Sequence, residues 1–140
     1  MDIRKKQRAV IEALEDVKGR DILIFNVARQ TAFFERVVIA SGDSTRQVNA
    51  LATSVQDRAR AIGAPIRGVE GRRNGEWVLV DLGDIIVHVM HPAVRSYYNL
   101  EELWGGKEVS LAKKEKEKPR RATAAAAAKR GKTAPRRRRK

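Results

Sequence analysis

The sequence predicts a single α/β domain, a mixed β-sheet with helices mainly on one face, followed by a disordered basic C-terminal tail. Two stretches have helical apolar spacing, Ile3 to Val17 and Val48 to Ile62. Between and after them lie short runs rich in β-branched residues, the last two joined by a two-residue turn. After Gly105-Gly106 the composition changes abruptly, and large apolar residues end at Leu111. At 140 residues the chain has room for one core and an appendage, here residues 1–106 and 107–140.

The first helix carries Ile3, Val10, Ile11, Leu14 and Val17 on one face and is closed by Gly19. Asp21 to Val27 then reads as a buried strand, 28–35 as a loop, and Arg36 to Ala40 as a second strand. Ser41-Gly42-Asp43-Ser44 turns the chain into the second helix, where Ser44 and Gln47 have capping-box spacing and Asp43 is the alternative cap. That helix presents Val48, Leu51, Ala52, Val55, Ala59 and Ile62, and Gly63 and Pro65 end it. Ile66 to Glu70 is a short third strand, and Gly71-Arg72-Arg73-Asn74-Gly75 is a turn.

Trp77 to Leu82 and Ile85 to Met90 flank Gly83-Asp84, a pair suited to a type II′ hairpin turn. That register pairs Leu82 with Ile85, Val80 with Val87 and Val78 with Val89 on an aliphatic face that should pack on the helices. The other face sets Trp77 beside Met90, Leu79 beside His88 and Asp81 beside Ile86. Such a mixture suits a surface that something else covers. After the hairpin, His91-Pro92 opens a short helix through Val94, Tyr97 and Tyr98, and Leu100, Leu103 and Trp104 close the domain.

Thirty Lys and Arg stand against seventeen Asp and Glu, a net charge of +13. Almost all of the excess lies in residues 107–140, which cannot bury enough apolar surface to offset their ordering entropy. The run Arg136-Arg137-Arg138-Arg139-Lys140 suits weak, salt-dependent contact with RNA phosphates, and no aromatic residue interleaves it to stack on bases. Without cysteine there is no disulfide framework and no thiolate nucleophile or zinc site. The apolar runs are too short for a membrane span, and no apolar stretch follows the basic residues near Met1. A cytoplasmic protein is expected.

Candidate chemistry is sparse. His88 and His91, read as three apart on a strand, point to opposite faces and cannot chelate one metal, so no metal and no cofactor is expected. Asp81 and Asp84 suggest a paired-carboxylate site, but Asp84 falls in the tight turn, where aspartate is common for local reasons. Gly42-Asp43-Ser44 suits helix capping better than phosphate binding, since neither GxxxxGK[ST] nor GxGxxG is present. There is no GxSxG elbow either. Trp77 reads equally as a core residue under a helix or as a partner contact, and Tyr97, Tyr98 and Trp104 equally as part of the same contact cluster or as packing that seals the hairpin.

The block Gly68-Val69-Glu70-Gly71, the run from Trp77 to Met90, and Tyr98-Asn99-Leu100-Glu101-Glu102-Leu103-Trp104 closely resemble the iojap-like ribosomal silencing factor family, RsfS. Lys18-Gly19-Arg20-Asp21-Ile22 and the turn from Ile39 to Val48 agree as well, so the resemblance covers roughly residues 5–104. It implies a nucleotidyltransferase-like fold in a family not regarded as enzymes. It also implies binding to large-subunit ribosomal protein number fourteen beside the intersubunit face, which blocks joining of the small subunit, slows translation in starvation and bears on subunit maturation. Carried over by position, the contact residues are Trp77, Asp81, His88 and Met90, with Glu70 and Tyr98 nearby. The rival readings are a nucleotidyltransferase-like enzyme and a nucleic-acid-binding protein led by its tail.

Overall fold

The structure, a computed structural model, describes residues 2–104 together with 108 and 109. The chain divides into two units, Met1–Glu108 and Val109–Lys140. The tail run Arg136, Arg137, Arg138, Arg139 and Lys140 lies outside the described residues.

Helix α1 spans Ile3–Asp16, capped by the Asp2 carboxylate, which accepts from the Arg4 amide. Strands β1 (Arg20–Asn26) and β2 (Arg36–Ser41) follow, then α2 (Thr45–Ala61). Of the two candidate caps the chain uses Ser44, whose hydroxyl accepts from Gln47 N at 3.1 Å. Asp43 instead pairs with Arg20 at 2.7 Å, so the Gly42-Asp43-Ser44 segment is a helix entry. Strand β3 is Gly68–Glu70, two residues shorter than expected from Ile66. The hairpin of β4 (Trp77–Asp81) and β5 (Ile85–Met90) leads to two short helices, α3 (Pro92–Tyr98) and α4 (Leu100–Leu103). Glu108–Val109, assigned to the tail by composition, form a two-residue strand, β6.

The sheet order is β3-β4-β5-β2-β1-β6. Strands β2 and β5 are parallel, while the β1–β2, β3–β4 and β4–β5 pairs are antiparallel, which makes the sheet mixed as expected. The hairpin register is the one the sequence predicts: Trp77 opposes Met90, Leu79 opposes His88 and Asp81 opposes Ile86. Gly83 takes φ +92°, which the turn requires and which a side chain would resist.

Alternation gives the sheet two faces. Ile24, Val38, Ala40, Val78, Val80, Val87 and Val89 share one and are fully buried. Helices α1 and α2 cover it with Val10, Ala13, Leu14, Val48, Leu51, Ala52 and Val55, and are joined to each other where Arg58 bridges Glu12 and Asp16. On the second face Phe25, Val27, Val37, Ile39 and Met90 form a separate core cluster. Phe34, Trp77, Val94, Leu100 and Trp104 pack around it, with Phe34 and Trp104 edge to face at 6.0 Å. The helices that reach this face are short, so its cover is partial.

One buried ion pair ties the start of α1 to the hairpin turn. Lys6, only 6% exposed, donates to the Asp84 carboxylate at 2.7 Å and to the Leu82 carbonyl at 3.2 Å. Asp84 thus answers a buried ammonium and holds no place in a carboxylate pair. Asp84→Ala strands that ammonium and is expected to cost about 2 kcal/mol in urea unfolding, less than for a fully buried pair because Asp84 is partly exposed. The double variant Lys6→Met/Asp84→Asn is expected to recover most of the loss.

Candidate partner-binding face

Strand register lays out the open part of the second face. Glu70 opposes Leu79, and Leu79 opposes His88, so the three form a row across β3, β4 and β5. Trp77 stands one step along β4 on the same face, and Asp81 one step the other way. Gly71 fixes the entry to Trp77: its φ is +91°, and a Cβ there would meet the Trp77 carbonyl oxygen at 2.1 Å. Only glycine lets the β3–β4 turn close so near.

The Trp77 indole is half-buried and held from two sides. Its Nε1–H donates to His88 Nδ1 at 2.9 Å, and the Tyr98 ring of α3 lies 4.9 Å away, tilted by 47°. Tyr97 packs edge to face on Tyr98 at 5.0 Å and is itself 82% exposed, while Tyr98 is 55% exposed. Neither tyrosine seals the hairpin. Together they extend the aromatic surface outward from Trp77. Leu103 is also exposed rather than packed, so of the closing residues only Leu100 and Trp104 join the core.

The two candidate acids differ. Asp81 accepts from the Gly83 amide at 2.8 Å and helps form the turn, whereas Glu70 is exposed at the edge of the row. Met90 corrects a sequence expectation. It lies on the predicted face but is fully buried under Trp77, Val94 and their neighbours, so it supports the face from below and offers no surface. Trp77 resolves differently from either alternative, as it packs against the core with one part and remains partly exposed with the other.

The histidines are separated by more than strand parity. His91 is not on a strand at all: it caps α3, its Nδ1 accepting from the Ala93 amide at 3.2 Å. Among the described residues no three His, Asp or Glu side chains group as metal ligands. No described helix is long and apolar enough to cross a membrane.

Trp77, Tyr98 and Tyr97 thus form a half-covered aromatic strip beside Leu79, with Glu70 opposite Leu79 and Asp81 beyond it. The family model "Ribosomal silencing factor during starvation" matches residues 1–138, beyond the 5–104 that carry the motifs. The chain belongs to the ribosomal silencing factor family. It is 53% identical over 112 residues to the ribosomal silencing factor RsfS of Chromobacterium violaceum, across 80% of this chain and 92% of that one. It is also 30% identical over 98 residues to the Mus musculus protein named mitochondrial assembly of ribosomal large subunit protein 1, across 68% of this chain and 43% of that one. A solved structure of a Chromobacterium violaceum protein shares the fold with a TM-score of 0.74 at 53% identity, covering 80% of this chain and 93% of that chain.

Two residues of this family member escape sequence reasoning. Leu79 completes the open row and was visible as the partner of His88 in the hairpin register, but an aliphatic residue between strands reads as ordinary packing. Arg95 is buried at 7% exposure and fastens the short helices: its guanidinium donates to Glu101 at 2.8 Å and to the Ser41 hydroxyl at 2.9 Å. Asn99, in the left-handed region at φ +51°, forms the pivot between α3 and α4 that brings Glu101 back to Arg95. The Arg95–Glu101 spacing crosses a helix break, so no helical periodicity reveals it.

Desolvation lowers the His88 pKa from 6.5 to about 4. Its neighbours across the sheet, Leu79 and Ile39, carry no charge, and Trp77 Nε1–H needs the neutral ring as acceptor. The unfolded chain therefore takes up a proton that the folded one refuses. The stability His88 contributes is full above pH 6.5 and is lost as pH falls through about 4. His88→Asn is expected to flatten this part of the stability–pH curve, and the difference between parent and variant in urea unfolding from pH 7 to 4 measures it.

Proposed function

We propose that the chain binds the large ribosomal subunit through the Trp77 face and, while bound, excludes the small subunit. The observation that carries this reading is the aromatic strip of Trp77, Tyr98 and Tyr97 beside Leu79, flanked by Glu70 and Asp81 and left half-covered by the chain's own helices. Aromatic anchors in a polar frame are what protein interfaces concentrate. The acids favour a partner with basic groups around an apolar patch. The resemblance supplies that partner as large-subunit ribosomal protein number fourteen. The names of the relatives support the ribosome, through ribosomal silencing in bacteria, and its large subunit, through assembly of the mitochondrial large subunit in mouse.

The mechanism needs no catalysis. A folded body on the intersubunit face fills volume that the small subunit must enter, and its occupancy lowers the rate of joining. Translation is thereby repressed, notably in starvation, and an immature large subunit is held back from use. The proposal places the protein in the cytoplasm with the ribosome. On the sequence alone, Arg136 to Lys140 add weak phosphate contacts that raise the local concentration of the domain.

Sedimentation with separated subunits tests the partner: the protein is expected with large subunits and not small ones, and added protein is expected to shift joined ribosomes toward free subunits. Equal recovery on both subunits counts against the proposal and favours a tail-led nucleic-acid binder. Tyr98→Ala removes an exposed ring and is expected to cost about 2 kcal/mol of binding, about thirtyfold in Kd, with little change in thermal melting. Removing residues 110–140, which spares β6, is expected to weaken binding at low salt and flatten its salt dependence while the subunit preference stays. Equal salt slopes would make the tail a passive solubiliser.

A further inference from the structure

We propose that His88 is the positioning residue of this face, its Nδ1 lone pair fixing the Trp77 indole in the orientation that a partner meets. The binding part of this inference rests on the proposed function, and the part within the free protein does not.

Trp77 opposes Met90 and Leu79 opposes His88, so Trp77 and His88 are diagonal neighbours on one face. That spacing is within reach of an aromatic side chain lying along the sheet. The indole takes this course, and its N–H meets the imidazole at 2.9 Å with the ring centroids 5.8 Å apart. The Tyr98 ring also packs on it at 4.9 Å, and Met90, its opposite on β5, lies buried in the cluster that Trp77 packs against. The indole is thus held by two contacts, one to His88 of β5 and one to Tyr98 of α3.

An indole N–H removed from water must find an acceptor, or the burial costs free energy. Here the acceptor is internal. The partner need not provide one, and the ring is ordered before binding rather than during it, which lowers the entropy lost on association. The bond also dictates a tautomer. An imidazole that accepts at Nδ1 carries its proton at Nε2, and a doubly protonated ring would turn a donor toward the indole N–H. Burial of the ring keeps it neutral at ordinary pH, and the residues opposite it, Leu79 and Ile39, bring no charge to upset that state.

Two substitutions separate positioning from mere filling. In His88→Asn the amide oxygen stands close to the place of Nδ1 and accepts. In His88→Leu the bulk remains and the acceptor is lost. The chain has two tryptophans, so one indole N–H signal can be assigned to Trp77 by comparison with Trp104→Phe. In nitrogen-15 spectra of the free protein, His88 is expected as the Nε2–H tautomer. The Trp77 indole N–H is expected to exchange with solvent slowly in the parent and in His88→Asn, and at least about tenfold faster in His88→Leu.

Affinity for isolated large subunits is expected to stay within about threefold in His88→Asn and to fall about tenfold in His88→Leu. An Nδ1–H tautomer in the parent overturns the proposal, as does an unchanged Trp77 signal in His88→Leu. Parent-like affinity in His88→Leu also overturns it. So does equal loss of affinity in both variants while His88→Asn keeps the protected indole, because His88 then contacts the partner itself. If the parent shows no affinity for large subunits the proposed function fails, and the spectra still decide whether His88 holds Trp77.

Discussion

A sheet has two faces, and among the described residues there are only two long helices. Both go to the same side, because α1 and α2 need each other as well as the strands: Ser54 of α2 donates to the Ala13 carbonyl of α1, and Arg58 pairs with Glu12 and Asp16. What covers the second face is a pair of helices of seven and four residues. They shield Phe25, Val37, Ile39 and Met90 and reach Trp77 through Tyr98, leaving Leu79 partly exposed and Glu70 exposed. The strip left half in water is ordered by its own contacts, Trp77 with His88 on one hand and with Tyr98 on the other.

Short helices do not hold themselves, so their docking is built from polar contacts. His91 caps α3, Pro92 fixes its first turn, and Asn99 turns the chain between the two helices in a backbone conformation that asparagine tolerates. Arg95 then joins Glu101 of α4 to Ser41 of β2 through one buried guanidinium. The arrangement fixes Tyr98 against Trp77, and so sets the edge of the exposed strip. Removing the charge of Arg95 or Glu101 would loosen these short helices rather than the sheet, which separates the stability of the domain from the shape of its proposed contact surface.

Much of this was legible in the sequence because it obeys period rules. The hairpin register follows from a two-residue turn and strict alternation: five predicted β4–β5 pairings lie in the ladder, and Leu82 donates to the Ile85 carbonyl at 2.9 Å to close the turn. The Ser44 cap and the bounds of α1 and α2 follow from local chemistry within a few residues. What could not be read is tertiary. Burial of Met90 depends on α3 and α4 folding back over β5, and no local pattern marks that return. The exposure of Tyr97 and Leu103 has the same origin, since apolar residues near a chain reversal read as core by type alone. His91 was misplaced on a strand because the strand ends at Met90, where Pro92 forces the helix to begin. The family resemblance selected residues that share one strip, but not which of its members face outward.

The central claim is that the uncovered strip, and not the helical face, meets the ribosome. An electron cryomicroscopy reconstruction of the chain bound to the large subunit tests it most directly. The account predicts Trp77, Tyr98, Leu79 and Glu70 buried against a ribosomal protein at the intersubunit side, with α1 and α2 turned outward. Density that buries α1 and α2 while leaving Trp77 and Tyr98 in solvent would contradict it.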